Sequence, residues 1–166
     1  LVPPDTILED GDTGRIFAVE YQPDLPTWEF PDPEHPLSRL LKGLLAAFPD
    51  DHVQLLNWTR DGKKAAVRIF SDRNPGAFLV ADVERMTVEP VLEVRPGIRP
   101  EAMAEMTAFH IKASDGLWIH GYLTLPLGRE PRNLPCIVNP HGGPWGRDGW
   151  GYNAEIQFLA NRGYCV

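Results

Sequence analysis

Between positions 52 and 94 four strand-like runs follow one another: HVQLLNW (52–58), KAAVRIF (64–70), AFLVADV (77–83) and TVEPVLEV (87–94). Their links, TRDGK, SDRNPG and ERM, are short and turn-forming, so consecutive strands are expected to pair antiparallel. Asp61-Gly62 is the strongest of these hairpin signals, because both residues tolerate positive φ. Arg73 in the second link reads as a solvated turn residue. The expected product is one four-stranded β-meander, the size of a single propeller blade, although a lone meander in another β-fold has the same pattern.

A blade cannot cover both of its own faces, so this one needs neighbours. Upstream, RIFAVEY (15–21) alternates apolar and polar residues and reads as a strand, with TWEF (27–30) as a short partner across the turn QPDLP. One helix interrupts the strands. Leu37, Leu40, Leu41, Leu44, Leu45 and Phe48 fall on one face at a 3.6-residue period, Pro36 suits the first helical position, and Pro49 ends the run. That stripe is expected to pack on the rest of the protein.

VRPGIRPEAMAEM (94–106) changes character, and a domain boundary is expected near residue 104. Beyond it, TAFHIKA (107–113) and LWIHGYLTLP (117–126) read as strands joined by the tight turn SDG. LPCIVN (134–139) is a continuous apolar run suited to a parallel strand covered on both faces. A helix follows, with Asn153 as cap, Glu155 in its first turn, Ile156, Leu159 and Ala160 as its apolar face, Arg162 in its last turn and Gly163 as a left-handed stop. YCV then opens another strand, which makes a βαβ unit of a parallel sheet.

Between that apolar run and that helix lies NPHGGPWGRDGWGYN (139–153), with five glycines and two tryptophans. Open α/β sheets bind ligands at the carboxyl ends of their parallel strands, where this loop is expected to sit. Gly142 and Gly143 leave main-chain N–H groups unobstructed by any Cβ, so they can receive a developing negative charge. An HGGG-type loop in this context supplies an oxyanion donor in α/β-hydrolases.

From about Thr107 to Val166 the sequence, with HGGP followed by NAEIQFLANRGY, resembles the opening of the peptidase domain of the prolyl oligopeptidase family of serine peptidases. More narrowly, it looks like the acylaminoacyl-peptidase and dipeptidyl-aminopeptidase-like branch. WTRDGKKAAVRIFSDRNPGAFLVADV is similar, more weakly, to the propeller of that family, and NWTRDGK resembles a WSPDGK-type blade signature. The resemblance implies a β-propeller remnant, one antiparallel meander blade, followed by the N-terminal part of an α/β-hydrolase domain. Residues 1–104 would hold the C-terminal blade or blades, with a helix inserted near 36–48. Residues 105–166 would open the hydrolase domain and stop before its nucleophile elbow.

By the same resemblance the parent hydrolyses amide bonds of short peptides through an acyl-enzyme. Its serine, aspartate and histidine are expected after Val166, and no catalytic residue within the chain. Ser38, Ser71 and Ser114 are the only serines, and none sits between glycines as a G-x-S-x-G elbow requires. This segment alone is therefore expected to be inactive. His141, Gly142 and Gly143 are the candidate oxyanion loop; some family members carry a tyrosine where His141 stands. Trp145, Arg147 and Trp150 are candidates to line a substrate channel. The two tryptophans suit a propeller–hydrolase interface equally well, and Arg147 suits an ion pair with Asp148. Two further readings stay open: a carboxylesterase or lipase of the same fold, and a non-catalytic propeller-containing binding protein.

Other chemistry is not expected. Sixteen basic against 23 acidic residues, a net charge of −7, and no basic cluster argue against a nucleic-acid partner. No apolar run reaches the roughly 18 residues of a membrane span. No phosphate loop or GxGxxG appears, and no cofactor is expected. His110 and His120 lie on paired strands, but the sequence shows no third ligand, so no metal is expected. Cys136 and Cys165 read as buried thiols. The partners implied are a short peptide substrate and the remainder of the same polypeptide, in a soluble protein of cytoplasmic or periplasmic location. Leu1 is not a methionine, no signal-peptide pattern follows it, and GYCV stops partway into a strand signal, as in an internal piece of a longer chain.

Overall fold

The computed structural model describes residues 2–143 and 145–166. Its strands form three antiparallel sheets. The first has the order β1 (Thr6–Glu9), β2 (Ile16–Tyr21), β3 (Thr27–Glu29). The second is the meander β4 (His52–Trp58), β5 (Lys64–Phe70), β6 (Ala77–Asp82), β7 (Thr87–Glu93), paired in chain order. The third is the hairpin β8 (Met106–Lys112) and β9 (Trp118–Thr124). Two helices, α1 (Pro36–Ala47) and α2 (Ala154–Asn161), complete the elements, with a 3₁₀ turn at Pro100–Ala102.

The four expected strands are present with their expected turns. Gly62 has φ +68°, and the Asp61 carboxylate accepts from the Thr59 hydroxyl at 2.6 Å and the Lys63 N–H at 3.1 Å, which closes the tightest hairpin. Arg73 is exposed, as expected. One strand went unread: β1 pairs with β2 in register Thr6↔Glu20. Its TILE segment is too short to show a period of two, and the neighbouring strand defines it.

Helix α1 covers one face of the meander. Leu37, Leu40, Leu41 and Leu44 are buried together with Phe17 of β2 and with Val53, Leu55, Val67, Ile69 and Leu79 of the meander. Burying a leucine of this kind contributes about 1.5–3 kcal/mol, so the stripe fixes the helix to the sheet. His35 caps α1, its Nδ1 accepting from the Leu37 N–H at 3.3 Å, while its ring stacks on Phe17 at 4.3 Å. Ser38 is fully buried and donates to the Phe17 carbonyl at 3.0 Å, and Ser71 accepts from the turn N–H of Asn74 at 3.1 Å.

The parallel part is shorter than expected. Residues 134–139 make a single parallel bridge, Cys136↔Cys165, with the Ile137 N–H donating to the Cys165 carbonyl at 2.8 Å. Val166 in turn pairs with Thr124 at the end of β9, so the 165–166 segment lies between β9 and the 135–137 segment. A parallel strand extends where layers cover both its faces. Val138 is 88% exposed, and the pairing stops before it.

The cysteines also differ from expectation. Cys136 and Cys165 are joined as a disulfide, with Cα atoms 4.5 Å apart. Cys136 is exposed and only Cys165 is buried. Directly paired positions on adjacent parallel segments direct their side chains to the same side, which sequence separation does not reveal.

Candidate functional site

The glycine-rich loop runs from the parallel bridge to α2. Asn153 caps that helix as expected, accepting from the Glu155 N–H at 2.9 Å and the Ile156 N–H at 3.2 Å, and Gly163 ends it at φ +91°. Arg162 stands one residue beyond α2, and its guanidinium donates to the Phe158 carbonyl at 3.3 Å. The loop is therefore anchored at its helix end by hydrogen bonds that its sequence encodes locally, and at its start by the Cys136–Cys165 bridge.

Within the loop, His141 organises the glycines. Its Nδ1 lies 3.4 Å from the Asp148 carboxylate, and the opposite edge of the ring rests against Gly143 and Gly146. A Cβ at either glycine would come within 3.1 Å of Nε2, closer than nine in ten real contacts. These two glycines thus make room for the imidazole. No atom of the described residues would lie within 4 Å of a Cβ at Gly142. No hydrogen bond among the described residues takes up the N–H of Gly142 or Gly143. His141, Gly142 and Gly143 are all exposed, and Pro144 of the HGGP motif lies outside the described residues.

The other loop residues divide. Arg147 does not pair with Asp148; its guanidinium reaches both oxygens of Asp5, at 3.1 and 3.4 Å, and Asp148 turns to His141. Adjacent side chains in an extended loop point apart, so each takes a partner from elsewhere. Trp150 is partly buried: its indole N–H donates to the Met106 carbonyl at 3.1 Å, and its own carbonyl accepts from Gln22 at 3.4 Å. It ties the loop to β8 and to the end of β2. Trp145 is 95% exposed.

Two hollows lie elsewhere. A groove of 790 Å³ is bordered by Asp10, His35, Trp58, Lys63 and Glu84, and a 140 Å³ hollow by Ala104, Arg129, Gln157 and Gly163. Both are outside the loop.

Three residues that hold the loop, α2 or the β8–β9 hairpin in place were missed in the sequence. Asp5 receives Arg147 from a proline-rich segment with no periodic signal. Gln157 lies on the buried side of α2, where its neighbours predict an apolar face. Asp24, in the β2–β3 turn, accepts from His110 Nε2 at 2.8 Å and lies 3.7 Å from His120 Nδ1. The hydrogen bond from His110 is the main influence holding the Asp24 carboxyl below the usual carboxylate range. Tyr122 donates its hydroxyl to the Asp24 carbonyl at 2.5 Å, and burial pushes that hydroxyl's pKa up.

No family model matches the chain. Dipeptidyl aminopeptidase BIII of Pseudoxanthomonas mexicana is 30% identical to it over an alignment 166 positions long that takes in 96% of this chain and 24% of that protein. This likeness supports a place for the chain in the prolyl oligopeptidase family. The chain spans about a quarter of the length of the curated relative it matches.

Two solved structures share its fold. A prolyl endopeptidase superposes on 99% of the chain with a TM-score of 0.66 at 13% identity, the chain covering 23% of that protein. The acylaminoacyl peptidase of Pyrococcus horikoshii superposes on 68% of the chain with a TM-score of 0.50 at 23% identity, covering 18% of that protein. The antiparallel meander is compatible with a blade of the family's propeller. No helix among the described residues is long and apolar enough to cross a membrane.

Proposed function

We propose that this chain supplies the oxyanion loop of a serine peptidase that hydrolyses short peptides. Residues 1–104 are the C-terminal blade or blades of its propeller, and residues 105–166 open its α/β-hydrolase domain. The observation that carries this reading is the pair of N–H groups at Gly142 and Gly143, which no hydrogen bond among the described residues takes up and which lie exposed beyond a parallel bridge. Such donors stabilise the negative charge that develops on a carbonyl oxygen during acyl transfer, and removing one costs about 10²–10³ in kcat. His141, held by Asp148 and seated on Gly143 and Gly146, sets the course of the backbone there.

The serine, its histidine base and the orienting aspartate come from the remainder of the polypeptide. The serine attacks the scissile carbonyl, the loop N–H groups receive the oxyanion, and the leaving amine takes the proton held by the base. Water then hydrolyses the acyl-enzyme. No cofactor enters these steps.

The test uses the full-length protein with a fluorophosphonate probe, dipeptidyl and acylaminoacyl nitroanilides, and short nitrophenyl esters. Labelling together with nitroanilide cleavage upholds the peptidase. Ester turnover without amide cleavage assigns an esterase in its place. Absence of both labelling and turnover assigns a binding module.

A further inference from the structure

We propose that Asp24, His110 and His120 form a binding site for a divalent transition metal, with Zn²⁺ as the cation their chemistry fits. The site lies on the face of the β8–β9 hairpin that carries His110, His120 and Tyr122, and it does not rest on the reading given above.

Three placements converge there. His110 and His120 are directly opposite in the β8–β9 register, which puts both imidazoles on one face of the hairpin. Their ring centroids are 4.3 Å apart and tilted by 58°. Asp24 arrives from the β2–β3 turn, 86 residues before His110. Tyr122, two residues beyond His120 and hence on the same face of β9, holds that turn by its hydrogen bond to the Asp24 carbonyl. One ligand atom from each of the three side chains lies within 4.8 Å of the others.

Two imidazole nitrogens and one carboxylate oxygen are a donor set suited to Zn²⁺ and poorly suited to Mg²⁺ or Ca²⁺, which prefer oxygen. Tetrahedral zinc with bonds of about 2.0–2.2 Å sets its ligand atoms about 3.4 Å apart. The His110–Asp24 contact of 2.8 Å opens slightly, and the His120–Asp24 contact of 3.7 Å closes slightly, to reach that value. The side chains are 42%, 62% and 38% exposed for His110, His120 and Asp24, so the rings turn without repacking a core and the cation enters from solvent. Water takes the fourth position. The bound ion cross-links the β2–β3 turn to the hairpin that precedes the glycine-rich loop, and so stabilises the folded form.

The experiment is calorimetric titration of the chelator-stripped full-length protein with Zn²⁺, repeated on His110→Ala, His120→Ala and Asp24→Asn. The proposal expects one Zn²⁺ per chain at this site, a rise in melting temperature with Zn²⁺ that Mg²⁺ does not reproduce, and affinity lowered at least about 10-fold in each variant. Should a variant fold poorly, Co²⁺ absorption of the wild-type protein reports nitrogen ligation by its ligand-field bands. Absence of saturable Zn²⁺ binding by the wild type overturns the proposal. So does Zn²⁺ binding that is unchanged in either histidine variant, or a Co²⁺ spectrum of the fully hydrated ion.

Discussion

Gln157 of α2 and Asp72 of the β5–β6 turn are 85 residues apart and joined by a 3.1 Å hydrogen bond, from Gln157 Nε2 to the Asp72 carbonyl. The same amide donates to the Ala104 carbonyl at 2.7 Å and accepts from the Ala104 N–H at 2.9 Å. Asp72 returns the link, its carboxylate accepting from the Met106 N–H at 2.6 Å. Gln157 and Asp72 are 5% exposed, so this clamp between the meander, the 104–106 segment and α2 works without competition from bulk water.

Replacing Gln157 by Leu keeps the volume and strands three main-chain groups. A buried unsatisfied group costs about 1–3 kcal/mol, so Gln157→Leu is expected to lower stability by at least about 2 kcal/mol. Urea denaturation of the full-length protein checks this. A loss under about 0.5 kcal/mol would show that water replaces the amide.

Gly76 closes the β5–β6 turn at φ +104°, and a Cβ there would lie 2.3 Å from the Ile69 carbonyl oxygen. The neighbour is main chain and cannot swing aside. Gly76→Ala is therefore expected to destabilise by about 1–3 kcal/mol or more, read from the shift in denaturation midpoint.

Leu41 is fully buried between α1 and the sheets. Leu41→Ala is expected to cost about 2–5 kcal/mol, as other core leucines do, and the exposed Leu56 gives the comparison. Leu56→Ala should shift the midpoint by less than a quarter as much.

Asp10 gives a pH dependence with a definite sign. Hydrogen bonds from the Thr13 hydroxyl and N–H, then from His35, hold its carboxyl well below the usual carboxylate range. A depressed folded-state pKa adds stability that is present above the unfolded value near 3.8 and is lost as pH falls through the folded value. Asp10→Asn should flatten the fall of melting temperature below about pH 4, where unfolded aspartate titrates, and leave its slope near neutrality unchanged. An identical acid slope in the variant would remove Asp10 from the account.

His141→Ala tests the proposed oxyanion loop. It withdraws the ring that Gly143 and Gly146 accommodate and frees the backbone to wander. Nitroanilide turnover by the full-length protein should show kcat reduced about 10-fold or more with KM within about twofold, because the donors act on the transition state. A raised KM at unchanged kcat would assign His141 to substrate binding.

Much of this fold is legible one segment at a time. Turn chemistry at Asp61-Gly62, the leucine stripe of 37–48 and the Asn153 and Gly163 helix ends all act within a few residues, and the structure shows each of them. The family resemblance is legible for the same reason, as a contiguous HGGP loop and the helix after it. The extent of a parallel strand is not local: residues 134–139 have the composition for one, but pairing extends only as far as other layers cover it.

The sequence by itself determined the meander, the inserted helix, the hairpin that sets His110 opposite His120, and the glycine content that leaves main-chain donors bare. Only the tertiary structure decided that Asp24 meets those histidines, that Arg147 takes Asp5 and Asp148 takes His141, that Gln157 is a buried clamp, and that Cys136 faces Cys165. The physical reason is range. Periodicity, capping and turn preference are properties of neighbouring residues, whereas a hydrogen bond or ion pair between residues 24 and 110 exists only once burial of the intervening chain has set their distance.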